Sequence, residues 1–196
     1  MEAGVKFVEC LEQKRAAIAT RWLAVALSAY PAPAAELFQR ERDPFANPVG
    51  AALRVGLGAA LEALVQGREP TDVAACLDDI LKMRAAQDLT PTQALSLIFS
   101  LKEISRAELQ GDGRGSVFSS ELAALDKQID QLALAAFDRY VGHRGRIYEL
   151  RVREVKRSVS VLVERMNRRR PPLPADLDLV QLETASSSPV EERSDS

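Results

Sequence analysis

Between Phe118 and Met166 the apolar residues fall into two heptad-spaced runs. The first is Phe118, Leu122, Leu125, Ile129, Leu132 and Ala136. The second is Tyr148, Val152, Val155, Val159, Leu162 and Met166. Each is spaced 4-3-4-3-4. This spacing predicts one long helix with two seams, each of which needs a partner surface along its length. At 1.5 Å per residue such an element spans roughly 75 Å, far more than the diameter of a small domain. Its C-terminal half is therefore expected to leave the globule. The helix should begin near Ser116 and stop at Arg168-Arg169-Arg170, where Pro171-Pro172 cannot continue it.

The rest of the chain also reads as helix. Ala and Leu dominate and β-branched runs are rare, which favours an all-α protein. Phe7, Leu11, Ile18, Trp22, Val25 and Ala29 form one face of a helix from about Gly4 to Ala29, ended by Pro31 and Pro33. A short helix, Ala34 to Arg42, follows. Asn47-Pro48 supplies an N-cap and a proline in the first turn for a third helix, to about Gln66. Its small residues at 52, 56, 59, 60 and 63 allow close approach of another helix. Gly67 ends it, and Glu69-Pro70-Thr71-Asp72 starts a fourth, to about Gln87. Thr90-Pro91-Thr92-Gln93 has the form of a capping box and opens a fifth helix, to about Gln110.

Charge is unevenly spread. Residues 144–170 hold ten Lys/Arg against three Asp/Glu, a net +7, whereas residues 171–196 hold one Arg against six Asp/Glu, a net −5. The segment 171–196 is rich in Pro, Ser and acids and is expected to be a disordered tail. The N-terminus shows no signal-peptide pattern, because Glu2, Lys6, Glu9, Glu12, Lys14 and Arg15 break any apolar run. No window of about 18 uncharged apolar residues occurs, so no membrane span is expected and the default compartment is the cytoplasm.

Catalytic chemistry finds little support. Cys10 and Cys76 have no metal-ligand spacing and read as small hydrophobes. Gly111-Asp112-Gly113-Arg114-Gly115 follows a helix rather than a strand and lacks the Lys-Ser/Thr pair of a phosphate loop. The one histidine, His143, lies between Gly142 and Arg144 and reads as facing water, which suits neither a triad nor a haem ligand. The expectation is no enzyme activity, no cofactor and no metal. Gly142 and Gly145 weaken the long helix between its two seams, by about 2 kcal/mol together. They mark either a simple bend or a hinge between a sensing half and a transmitting half.

Several blocks together carry a resemblance. They are Trp22 with Tyr30-Pro31, Phe38, and the run Asp43-Pro44-Phe45-Ala46-Asn47-Pro48-Val49-Gly50. Then come Met83-Arg84-Ala85-Ala86-Gln87-Asp88, Pro91-Thr92-Gln93-Ala94 and Phe99-Ser100-Leu101-Lys102. Last are Ile129-Asp130, Ala136-Phe137-Asp138-Arg139-Tyr140 and Ile147-Tyr148-Glu149-Leu150-Arg151-Val152-Arg153-Glu154. Over roughly residues 10 to 165 the chain resembles the N-terminal domain of RsbRD-type proteins, the RsbT co-antagonist family of bacterial stress signalling. The resemblance implies a globin-like, non-haem helical sensory domain that is usually dimeric. In multidomain relatives it precedes a STAS output domain. No βαβ pattern follows Arg170 here, so the expectation is a sensor or adaptor acting through a separate partner protein.

The domain organisation expected is therefore a helical sensory domain over 1–170, including a projecting helix at 116–170, and a tail at 171–196. The expected function is non-enzymatic regulation through a homodimer and a signalling partner, with a small ligand as an option. The interface would be Tyr148, Val152, Val155, Val159, Leu162 and Met166. The competing reading is nucleic-acid binding by the basic segment 144–170, which contains Lys156-Arg157 and Arg168-Arg169-Arg170.

Overall fold

The structure is a computed structural model that describes residues 2–87, 89–110 and 117–169. Among the described residues every regular element is an α-helix: α1 (Glu2–Leu27), α2 (Ala32–Arg40), α3 (Pro48–Val65), α4 (Pro70–Cys76), α5 (Asp78–Ala86), α6 (Pro91–Gln110) and α7 (Ser119–Arg169). The protein is thus an all-α bundle with a long C-terminal helix. The chain divides into two units, Met1–Arg151 and Val152–Ser196. The 111–115 loop and the 171–196 tail lie outside the described residues, as does Arg170.

Local chemistry sets the helix ends. The Asn47 side chain accepts from the Gly50 amide at 2.8 Å, as an N-cap should. Its Nδ2 also donates to the carbonyls of Phe38 (2.9 Å) and Glu41 (2.8 Å) at the end of α2. Arg54 donates to the same two carbonyls, so two side chains of the 47–54 segment satisfy the orphan acceptors of α2. A Cβ at position 50 would lie 2.2 Å from Asn47 Nδ2, which is why glycine stands there. At the far end of α3, Gly67 has φ +68°. The Gly67 and Arg68 amides donate to Leu64 and Ala63, the two bonds of a Schellman motif. The capping box of α6 is present: Gln93 N donates to Thr90 Oγ1, and Thr90 N donates to Gln93 Oε1.

One expected helix is two. The stretch from Glu69 to Gln87 breaks at Leu77 (φ −93°, ψ 2°) into α4 and α5. No proline or glycine marks the break. The reason is packing: Leu77 is buried, and so are Val73, Ala74, Ile80 and Leu81 on either side of it. The break turns both short helices toward α3. Gly56 of α3 receives them, since a Cβ there would approach Ile80 Cδ1 to 2.9 Å and the Cys76 carbonyl to 3.0 Å.

The core of the first unit joins α1, α3, α4, α5, α6 and the first part of α7. Trp22 is fully buried, and its Nε1–H donates to the Leu97 carbonyl at 2.7 Å, tying α1 to α6. Phe7 meets Phe118 edge-on at 5.5 Å. Lys102–Asp130 and Arg106–Asp126, each 2.6 Å, connect α6 to α7. α3 is long and apolar enough to cross a membrane, but half of it is buried within the unit and it carries Arg54 and Glu62, so it serves as a core helix.

Candidate partner interface

The first seam is buried throughout, Phe118 just before α7 and Leu122, Leu125, Ile129, Leu132 and Ala136 on it. The buried face does not end there. Tyr140 and His143 are buried and Ile147 packs against the core. At 100° per residue, positions 118 to 147 of this set stay within an arc of roughly 80°. The 4-4-3-4 step from Leu132 through Ala136, Tyr140 and His143 to Ile147 is a stutter that a straight helix absorbs. The second seam starts on another side of the helix. Tyr148 lies roughly 120° around from Ala136 by the same geometry.

His143 therefore corrects the sequence reading. It does not face water. It is 7% exposed, and its Nε2 lies 3.0 Å from Asp78 Oδ1 of α5. A carboxylate only accepts, so the Nε2 nitrogen carries the proton and donates. Arg139 Nη1 donates to the same oxygen at 3.0 Å. Burial pushes the Asp78 carboxyl up, but the hydrogen bonds and positive charge of His143 and Arg139 outweigh it and hold it below the ordinary aspartate value. Tyr140 donates its hydroxyl to the Leu89 carbonyl just above. These contacts anchor the stretch Arg139–His143 to α5 and the loop before α6.

Gly142 and Gly145 lie within continuous helix and are exposed. A Cβ at either position would meet nothing within 4 Å. Packing thus places no demand for glycine at either site. The six interface candidates are all exposed, from Tyr148 at 49% to Met166 at 72%. In the first unit, the Arg144 guanidinium lies 5.0 Å over the Tyr148 ring and bonds its hydroxyl. In the second unit, Val152, Val155, Val159, Leu162 and Met166 occupy one stripe of the helix, and every side chain described from 152 to 168 is exposed. The basic residues of this segment are exposed with them.

The sequence reading missed three buried residues with polar groups. Arg84 is 2% exposed, and Tyr140 and His143 continue the buried face of α7. Helical spacing from Ala136 could have found the last two. Among the described residues no group of three His, Cys, Asp or Glu side chains could hold a metal ion.

The fold is an all-α helical domain, with a heptad-spaced apolar stripe exposed on its last helix. A family model for the RsbT co-antagonist protein RsbRD N-terminal domain matches residues 16–155, and the chain belongs to that family. It is accordingly a regulatory signalling domain of the stress-response partner-switching class. No curated protein and no solved structure matches the chain.

Proposed function

We propose that this protein is a cytoplasmic, non-enzymatic sensor that forms a homodimer through the stripe Tyr148, Val152, Val155, Val159, Leu162 and Met166 and passes its state to a separate signalling protein. The observation that carries this reading is the stripe itself. Soluble monomers rarely expose a contiguous apolar surface of this kind. Six apolar residues at heptad spacing, all about half exposed or more, have the pattern that a second helix covers. Membership of a partner-switching family supports the exchange of protein partners as the mode of action.

Gly142 and Gly145 are assigned the role of a hinge. They flank His143, which meets Asp78, and lie just before Ile147, which packs against the core, and before the stripe that begins at Tyr148. A stimulus that loosens or tightens that anchor would change how α7 bends. Such a signal can shift a two-state element only by its differential affinity for the two states.

The test is capture from the native cell with the full chain, wild type against Val155→Glu/Val159→Glu. The reading expects a specific protein partner retained by the wild type and lost or weakened in the double variant. Association with nonspecific DNA that falls steeply with salt, unchanged by the stripe substitutions, would favour the nucleic-acid reading for residues 144–170 instead.

A further inference from the structure

The second unit exposes two distinct faces of α7. At 100° per residue, Arg157, Val161 and Arg168 fall within roughly 40° of one another and roughly 140–180° from the mean direction of Val152, Val155, Val159, Leu162 and Met166. Lys156 and Arg165 stand between this row and the stripe, one on each side. All five are exposed, and Val161, at 44%, is an apolar side chain framed by cations. Over residues 152–168 five Lys/Arg stand against Glu154 and Glu164. A row of cations on an exposed helix is by itself an ordinary solvated face. The sequence that follows α7 supplies what would occupy it.

Residues 173–183 hold Asp176, Asp178 and Glu183, no Lys or Arg, and five large apolar residues, Leu173, Leu177, Leu179, Val180 and Leu182. Residues 184–196 hold as many acids, Glu191, Glu192 and Asp195, but only Val190 as a large apolar residue. A stretch that merely solvates has no use for five large apolar side chains in ten residues. Acids interleaved with apolar residues complement a row of cations around Val161. The reach suffices. Lys156 lies thirteen residues before Arg169, roughly 20 Å back along the helix. Asp176 and Glu183 lie seven and fourteen residues beyond Arg169, spans of up to roughly 23 and 46 Å for an extended chain. The tether gives the segment an effective concentration of order mM at this face, so ion pairs that are individually weak are enough to hold it.

We propose that the segment Asp176–Glu183 docks on the Arg157–Val161–Arg168 face of its own chain. Its carboxylates meet Arg157, Arg168 and the bordering Lys156 and Arg165, and its apolar side chains cover Val161. The charges decide the face. A segment seated on the stripe would turn its acids away from Arg157 and Arg168, whereas on the opposite face it meets both and leaves the stripe open. The docked segment is a polyanion supplied by the chain itself. It screens cations that otherwise gather nonspecific polyanions such as nucleic acid, and so reserves α7 for a protein partner. This goes beyond the sensor reading and stands whether or not the chain dimerises.

The experiment uses the full chain, wild type against Asp176→Asn/Asp178→Asn/Glu183→Gln, whose changes all lie beyond α7. Lys156 is the one lysine in residues 144–196, so a zero-length carbodiimide cross-link from it to a carboxylate reports the contact directly. On the species of single-chain mass under denaturing conditions, Lys156 should be joined to Asp176, Asp178 or Glu183 in severalfold preference to Glu191, Glu192 or Asp195. The preference should fade at about 1 M salt, where the Debye length is roughly 3 Å. Fluorescence anisotropy with a nonspecific DNA duplex at about 100 mM salt should show the triple variant binding about tenfold more tightly than wild type, a gap that closes as salt rises. No cross-link to the three nearer acids, or equal yields to all six, overturns the proposal, as does equal DNA affinity of the two proteins. A triple variant that self-associates more tightly than wild type, read by light scattering, would place the segment on the stripe instead and overturn it as well.

Discussion

The two halves of α7 carry almost the same apolar pattern and meet opposite fates. From Phe118 to His143 the stripe is buried, and Ile147 still packs against the core. From Tyr148 to Met166 a stripe of equal regularity is exposed at every position. The difference is not in spacing, since Phe118 to Ala136 and Tyr148 to Met166 each step 4-3-4-3-4. It lies in what occupies the face that was buried. In the sequence, the positions that continue the first period after Ile147 are Arg151, Glu154 and Ser158, while the apolar residues fall in a different register. Heptad spacing states that a helix needs a partner surface. It does not state whether the partner lies within the same chain.

That comparison can be broken most forcefully in the buried half. Leu132 is fully buried, and Leu132→Ala should cost the first unit about 3 kcal/mol. The equivalent truncation in the exposed half, Leu162→Ala, should leave unfolding of the first unit within about 0.5 kcal/mol of wild type. Urea unfolding followed by Trp22 fluorescence separates the two, because Trp22 is buried in the first unit alone.

A smaller effect is expected where the halves meet. Gly142→Ala/Gly145→Ala meets open space at both positions. It should raise local helix stability by about 2 kcal/mol in sum. Hydrogen exchange across Arg139–Tyr148 should slow accordingly, with the fold retained and the response to stimulus lost. A double variant that signals normally, with wild-type amides already as protected as the flanking turns, would remove the hinge from the account.

The smallest effect concerns the anchor. Asp78→Asn removes the charge that His143 and Arg139 share and should destabilise the first unit by about 1 kcal/mol, a modest figure because Asp78 and Arg139 are partly open to solvent. The folded carboxyl sits below the ordinary aspartate value. Its contribution is therefore complete above the unfolded value, about pH 4, and is lost as the pH falls through the lower folded value. The stability gap between wild type and Asp78→Asn should narrow below about pH 4. A gap that instead widens on acidification would show that the anchor is not built on the Asp78 charge.

Much of this was legible in the sequence, and the exceptions have physical causes. Asn47-Pro48, Gly67 and Thr90-Pro91-Thr92-Gln93 could be read because capping depends on neighbours close in sequence. The break at Leu77 could not, because no residue there disfavours helix and the packing of α4 and α5 on α3 decides it. His143 was misread from its neighbours Gly142 and Arg144, whereas its burial follows from Tyr140 and Ala136, one and two turns away. Arg84 was legible only as part of a family-like block. Its burial depends on carbonyls of α1 and α6 that come together in the folded state. For the candidate interface, exposure does not distinguish the six residues from their neighbours, since every side chain described from 152 to 168 is exposed, and only their heptad spacing picks them out.

The central claim is that the exposed half of α7 is covered by a second copy of this chain. Light scattering of the unmodified full chain, coupled to size exclusion over a concentration series, tests it directly. The account predicts twice the chain mass of 21.5 kDa, falling toward a single chain in Val155→Glu/Val159→Glu while the helical content of the first unit is retained. A mass of 21.5 kDa for the unmodified chain at every concentration, or a dimer indifferent to the two substitutions, would contradict it.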